Sequence, residues 1–244
     1  MALGGGTFLF HNKTLPGTYI NFVSKIRASA EVSDRGYGAM MLELDYGKSG
    51  EVFRVDVDEF QKNCMQYFGY DYTHPKMKGL RDLFTGLKTG YFYRLNSDGA
   101  VASCPLAKAK YAGIRGNALG ISVQSDPDAS GAYIVTTYMT TDNNRQAVAK
   151  QSGVKTAADL EDNEYVKFEK SATLEATAYK ALTGGTNGGN VTTKNYQDGL
   201  ELLEPYYFNV LGYAGSDDAI KSLLINFTHR CRTQSGAKFQ LVIH

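Results

Sequence analysis

Tryptophan is absent from the 244 residues, and cysteine and histidine are scarce, with three of the first and four of the second. Cys64, Cys104 and Cys231 are odd in number and include no Cys-x-x-Cys pair, which suits reduced thiols better than a disulfide framework or a zinc site. The histidines, His11, His74, His229 and His244, are dispersed. His229 and Cys231 lie two apart and on a helix cannot face one ligand. Gly-x-Ser-x-Gly and His-Glu-x-x-His are both missing. No apolar run nears the ~20 residues that span a bilayer, and the opening "MALGGGTFLF" has neither a basic n-region nor an h-region. Lysine and arginine number 26 against 25 aspartates and glutamates, so no positive surplus is available to neutralise a phosphate backbone. These absences argue against nucleic-acid binding, membrane insertion, a bound metal or cofactor and a recognisable catalytic residue. They suit a chain folded in a cytoplasm.

What is present is tyrosine and phenylalanine, 17 and 12 residues, in β-prone segments separated by glycine. The chain is long enough for a sizeable core. Residues 1–20 read as an extended arm: Gly4 to Gly6 open it, Pro16 and Gly17 break any helix, and Phe8 and Phe10 alternate with no partner face inside it. Residues 21–95 change to α/β grammar. "YGAMMLEL" and "EVFRV" predict strands. "DVDEFQKNCMQYFG" predicts a helix with Phe60, Cys64, Tyr67 and Phe68 inward and Gly69 as its stop. A second helix starts at Thr73 or His74, holds Pro75 in its first turn and carries Met77, Leu80, Leu83, Phe84 and Leu87 as its stripe. "YFYRL" is then a strand.

Over residues 96–182 the period shifts to short β-branched and aromatic runs divided by turns, with one helical turn near "GVKTAADLED". This predicts a β-rich insertion, sandwich- or barrel-like, that folds autonomously and faces outward. From 183 to 244 the α/β pattern resumes. Thr192 or Thr193 caps a helix bearing Tyr196, Leu200 and Leu203, and "PYYFNVLGYAG" reads as a strand. Ser216 caps a longer helix with Ile220, Leu223, Leu224, Phe227 and Cys231 buried and Gly236 at its end. "KFQLVIH" should then be a strand parallel to its predecessor, joined by a right-handed crossover. As an interior strand with no helix after it, it also suggests that a C-terminal portion of this core is missing. The predicted fold class is mixed α/β, a core split by a β-rich insertion.

The seam "LTGGTNGGNVTTKNYQDGLELLE" resembles a phosphate loop entering a helix, but a Walker lysine is missing: Asn190 and Val191 follow Gly189. Dinucleotide spacing fails too, with Thr186 where the second glycine belongs. Gly184, Gly185, Gly188 and Gly189 are therefore read as a hinge-like connector in which glycine permits positive φ, with Lys194 as the one charged group near it.

Several of these stretches carry a family resemblance. "VSDRGYGAMMLELDYGKSGEVFRVDVDEFQKNCMQYFG", "LRDLFTGLKTGYFYRLNS", "YAGIRGNALGISV" and the glycine-rich re-entry "LTGGTNGGNVTTKNYQDGLELLEPYYFNVL" resemble, in this order, contractile tail sheath proteins of phages and phage-like bacteriocins. The similarity covers nearly the whole chain and is nearest to compact sheath proteins of Gram-positive prophages and R-type or diffocin-like particles. It implies a non-enzymatic subunit that polymerises helically around an inner tube and contracts to drive it through an envelope. Its implied partners are copies of itself, the inner tail tube protein, and baseplate and tail terminator proteins. Assembly would take place in the bacterial host cytoplasm, into a virion or a released particle. Phe8, Phe10, Leu15, Tyr19, Ile20 and Phe22 would be arm residues that contact a neighbour. Family members continue past the last strand into a C-terminal arm that is not in this sequence. Two rival readings are an α/β enzyme holding a small anion or nucleotide at 184–190, and a β-rich receptor-recognition module.

Overall fold

The computed structural model describes residues 36–142 and 144–243. The arm positions Phe8, Phe10, Leu15, Tyr19, Ile20 and Phe22 lie outside the described residues. Strand β1 (Tyr37–Leu42) sends Ala39 and Met41 to one face and Met40 and Leu42 to the other, as the two-residue period requires. Strand β2 (Val52–Asp56) runs into helix α1 (Val57–Phe68), which Gly69 stops with a φ of 78°. Phe60, Cys64 and Phe68 are buried as expected. Tyr67 is not: its hydroxyl reaches Glu59 at 3.0 Å near the surface, and Met65 is buried instead. His74 caps the next segment by accepting the Lys76 N–H, and a 3-10 turn at Pro75–Met77 leads into helix α2 (Lys78–Phe84). Leu87 falls beyond that helix and packs over Gly38, where a Cβ would sit 2.6 Å from its Cδ1. Strand β3 (Thr89–Arg94) follows.

The chain then makes strands β4 (Ser103–Cys104), β5 (Ala107–Ala109), β6 (Leu119–Ser125), β7 (Tyr133–Thr141), β8 (Asn144–Val154), β9 (Val166–Phe168) and β10 (Thr177–Ala181). They form two antiparallel sheets, ordered β10-β6-β7-β8 and β4-β5-β9. Leu119, Ile121, Val123, Val135, Met139, Leu160 and Val166 are buried in their shared core. Strand β8, "NRQAVAKQSGV", has no apolar alternation to betray it. It is an edge strand, mostly exposed, so few of its side chains face the core.

Helix α3 (Thr193–Leu203) starts behind Thr192, whose N–H donates to Asn195 Oδ1 at 2.8 Å. Strand β11 (Val210–Tyr213), helix α4 (Asp218–Arg230) and strand β12 (Gln240–Ile243) complete the described chain. Asp217, not Ser216, caps α4: its Oδ1 accepts the N–H groups of Ala219 at 2.8 Å and Ile220 at 3.3 Å. Both residue types make good caps, and the helix begins one residue later than the first candidate. After α4 a single π turn at Cys231–Ser235 precedes Gly236, whose φ is 69°. Strands β11 and β12 are parallel, Leu211 against Leu241, as the crossover argument requires.

The core sheet has the order β12-β11-β1-β3-β2, with β2 antiparallel. Strand β12 lies at one end of this order, paired with β11. Helices α1 and α2 cover one face, packing Phe60 and Phe84 against Phe53, Val55 and Phe92 of the strands. Helices α3 and α4 cover the other through Met41, Leu200, Leu203, Leu211 and Leu224. No described helix is long and apolar enough to cross a membrane.

Candidate functional site

Polar chemistry converges where β1 and β3 end, where the β-rich insertion begins and where it returns. Arg94, the last residue of β3, is fully buried. Its Nη1 donates to the carbonyls of Gly47 (3.1 Å) and Ala112 (2.7 Å), its Nε to Asn96 Oδ1 (3.2 Å), and its Nη2 has no partner. Burial lowers the guanidinium pKa, and the charge of Asp45 opposes that shift. Asn96 continues the β1–β3 pairing in side-chain form. It accepts the Leu44 N–H at 2.9 Å and returns Nδ2 to the Leu44 carbonyl at 3.0 Å.

Asp45 binds three different segments. Its Oδ2 accepts the Tyr70 hydroxyl at 2.6 Å and the Lys76 ammonium at 2.5 Å, and its Oδ1 accepts Asn187 Nδ2 at 2.8 Å. Burial pushes this carboxyl up, but the hydrogen bonds from Lys76, Tyr70 and Asn187, with the Lys76 charge, outweigh it and hold the pKa at about 2. The Asp45 carbonyl accepts the Arg115 N–H at 3.1 Å. The Arg115 guanidinium lies 4.6 Å from the Tyr70 ring centre, with Nε 2.5 Å from the Gly69 carbonyl.

The glycine loop is fastened on both sides. Gly185 exchanges two bonds of 2.8 Å with the Asn117 side chain, and Thr186 exchanges two with Ala100. Asn187 Oδ1 accepts the Ile114 N–H at 3.0 Å. Of the four glycines, Gly184 alone uses the positive φ that the loop's glycines permit, at 84°. Gly185 and Gly188 are needed for close approach instead: a Cβ would meet the Gly113 carbonyl at 2.6 Å and Asp98 Oδ1 at 2.1 Å. At Gly189 the nearest atom to a Cβ is 3.9 Å away. Lys194 pairs with Asp198 at 2.9 Å, and the charges that do meet the loop are the carboxylates of Asp45 and Asp98. With the Gly185 and Thr186 amides already bonded to protein and two carboxylates beside the loop, the site disfavours a phosphate.

Sequence reasoning singled out the loop glycines and missed Asp45, Arg94 and Asn187. The one cue was an arginine closing an aromatic strand, "YFYRL". Tyr46 was missed as well. It is fully buried within the insertion's own apolar core, beside Met65 of α1, and its hydroxyl donates to the Tyr165 carbonyl at 3.1 Å. Cys64 and Cys231 are buried on their helices, and among the described residues no group of three or more His, Cys, Asp or Glu side chains could hold a metal.

The family model of the phage tail sheath protein β-sandwich domain matches residues 97–187, the two-sheet insertion and the loop as far as Asn187. This chain is similar to phage tail sheath proteins. The sheath-like chain is 28% identical to protein XkdK of the phage-like element PBSX of Bacillus subtilis (strain 168), over 98% of this chain and 54% of that relative. It is 27% identical to the uncharacterized protein YqbK of the same strain, over 99% and 55%. Of solved structures, the sheath tail protein of Desulfitobacterium hafniense aligns over 92% of this chain and 52% of its own, at 28% identity and a TM-score of 0.73. The sheath tail protein of Listeria innocua aligns over 85% and 47%, at 31% identity and a TM-score of 0.71. The sheath-like chain thus spans about half the length of the relatives it matches.

Proposed function

We propose that this chain is a structural, non-catalytic part of a contractile tail sheath. In this reading copies polymerise helically around an inner tail tube protein, bounded by baseplate and tail terminator proteins, and contract to drive the tube through a target envelope. Assembly takes place in the bacterial host cytoplasm, and the product is a virion or a released phage-tail-like particle. The supporting observation is that one fold, an α/β core carrying a β-sandwich insertion, aligns over most of this chain with sheath tail proteins. A heterologous contact that does not close yields an open helix of subunits, and strand addition by extended arms tolerates rotation of the bodies it joins.

The same reading divides the chain into an arm at 1–20, core at 21–95, an outward insertion at 96–182, and connector with core at 183–244. Phe8, Phe10, Leu15, Tyr19, Ile20 and Phe22 are its interface positions, and Gly184, Gly185, Gly188 and Gly189 its connector. The test is electron microscopy of the expressed chain, alone and mixed with an inner tail tube protein. Rings or tubes support the proposal. Monodisperse monomers under both conditions overturn it.

A further inference from the structure

The loop holds a reactive dipeptide, Asn187–Gly188, at the centre of the junction. An asparagine followed by glycine is prone to deamidate because no Cβ shields the following backbone nitrogen. That nitrogen, giving up its proton to solvent, attacks the side-chain Cγ. The amide nitrogen leaves as ammonia and a five-membered succinimide closes. Water then opens the ring to aspartate or isoaspartate, and no oxidant or reductant is involved.

Packing dictates the pairing. A Cβ at position 188 would stand 2.1 Å from Asp98 Oδ1 and 2.9 Å from the Asn96 carbonyl carbon, so position 188 is restricted to glycine. Asn187 is equally constrained, because it alone spans the gap from Asp45 Oδ1 (2.8 Å) to the Ile114 N–H (3.0 Å). Those two bonds tie both ends of the side-chain amide, and cyclisation needs that amide free to reorient. The fold therefore contains the labile pair and also restrains it.

We propose that Asn187 is a self-modification site. Once its side chain leaves Asp45 and Ile114 it deamidates, and the carboxylate formed keeps the junction from closing again. The product has no N–H for Asp45 and sets one carboxylate against another, while Lys76 and Tyr70 are already committed to Asp45 Oδ2. A transient opening thereby becomes a lasting one.

The test begins with the unaltered full chain in mildly alkaline buffer, native and urea-unfolded, with peptide mass spectrometry following conversion of Asn187 to acid. Conversion should be slower in the native chain by about tenfold or more, the protection expected of a site that must open first. Equal rates overturn the proposal. In N187D, the product mimic, hydrogen exchange at the amides of Ile114, Gly185 and Thr186 should quicken by about tenfold, the loss of one half-buried charge-assisted bond. Exchange like that of the parent overturns it. Adding D45N to N187D restores a donor facing an acceptor with the roles exchanged, and should slow exchange again at those three amides. Should it not, the Asp45–Asn187 pair is not the restraint.

Discussion

At Arg94 a full positive charge is buried among neutral acceptors, with no carboxylate bonded to it among the described residues. Such a charge is tolerated only while its acceptors stay in place, and their loss is costly in both directions. Arg94→Met would remove the donor from two buried carbonyls and from Asn96. It should lower the unfolding free energy by about 2–3 kcal/mol, read as a lower urea midpoint at unchanged slope. An unchanged midpoint would show that the guanidinium is not holding the junction. Asp45 sets an acid limit. Its carboxyl is lowered from 3.8 to about 2 in the folded chain. Its contribution is therefore complete above the unfolded value and is lost as pH falls through the folded one. A melting profile against pH should steepen between about 4 and 2 in the parent and be flatter there in D45N, since that variant has no group to protonate. Thiol chemistry offers a third check at this scale. Burial pushes Cys64 up to about 12 and raises Cys231 as well, whereas Cys104 is only partly buried. A thiol reagent added to native protein should label Cys104 first, and early labelling of Cys64 would contradict the packing of α1.

The elements are set by caps and stops that act within a turn. Helix α4 is capped by Asp217, whose carboxylate accepts two N–H groups, while Ser216 stands outside. Asp217→Ala should cost about 1 kcal/mol and Ser216→Ala close to nothing, both from denaturant unfolding. The reverse order would restore the serine cap. Elsewhere the local rules hold with small shifts. Gly69 and Gly236 end their helices in the left-handed region, and the apolar stripes at Phe60, Cys64 and Phe68 and at Ile220, Leu224 and Phe227 face the core. Two positions depart from their stripes for different reasons. Tyr67 and Leu87 match a helical period, but one carries a hydroxyl that finds Glu59 and the other follows a helix that has already ended.

At the scale of the whole molecule the question is whether core and insertion are separate folding units. Composition suggests an insertion able to fold alone. Against this, Tyr46 and Met65 come from the core yet fill the insertion's apolar interior, and Asp45, Arg94 and Asn187 bond across the seam. Residues 36–243 should therefore unfold in one transition, with circular dichroism and tyrosine fluorescence coincident. The excised stretch 97–187 should lack fixed tertiary structure by NMR. Two separated transitions, or a dispersed spectrum from the excised stretch, would re-establish two independent units.

By itself the sequence determined what depends on near neighbours: the helices and strands that carry an apolar period, though not edge strand β8, where glycine stops them, the change to β-rich grammar after Asn96, and the likeness to tail sheath proteins. Helix and strand periods repeat every few residues, so they can be read without knowing the path of the chain. The tertiary structure decided the rest. Asn187 meets Asp45 across 142 positions, and Tyr46 crosses into the insertion. Nothing local to asparagine, aspartate or tyrosine announces such a partner. A polar side chain becomes a clasp only when the fold removes water around it and brings a complementary group within hydrogen-bond reach.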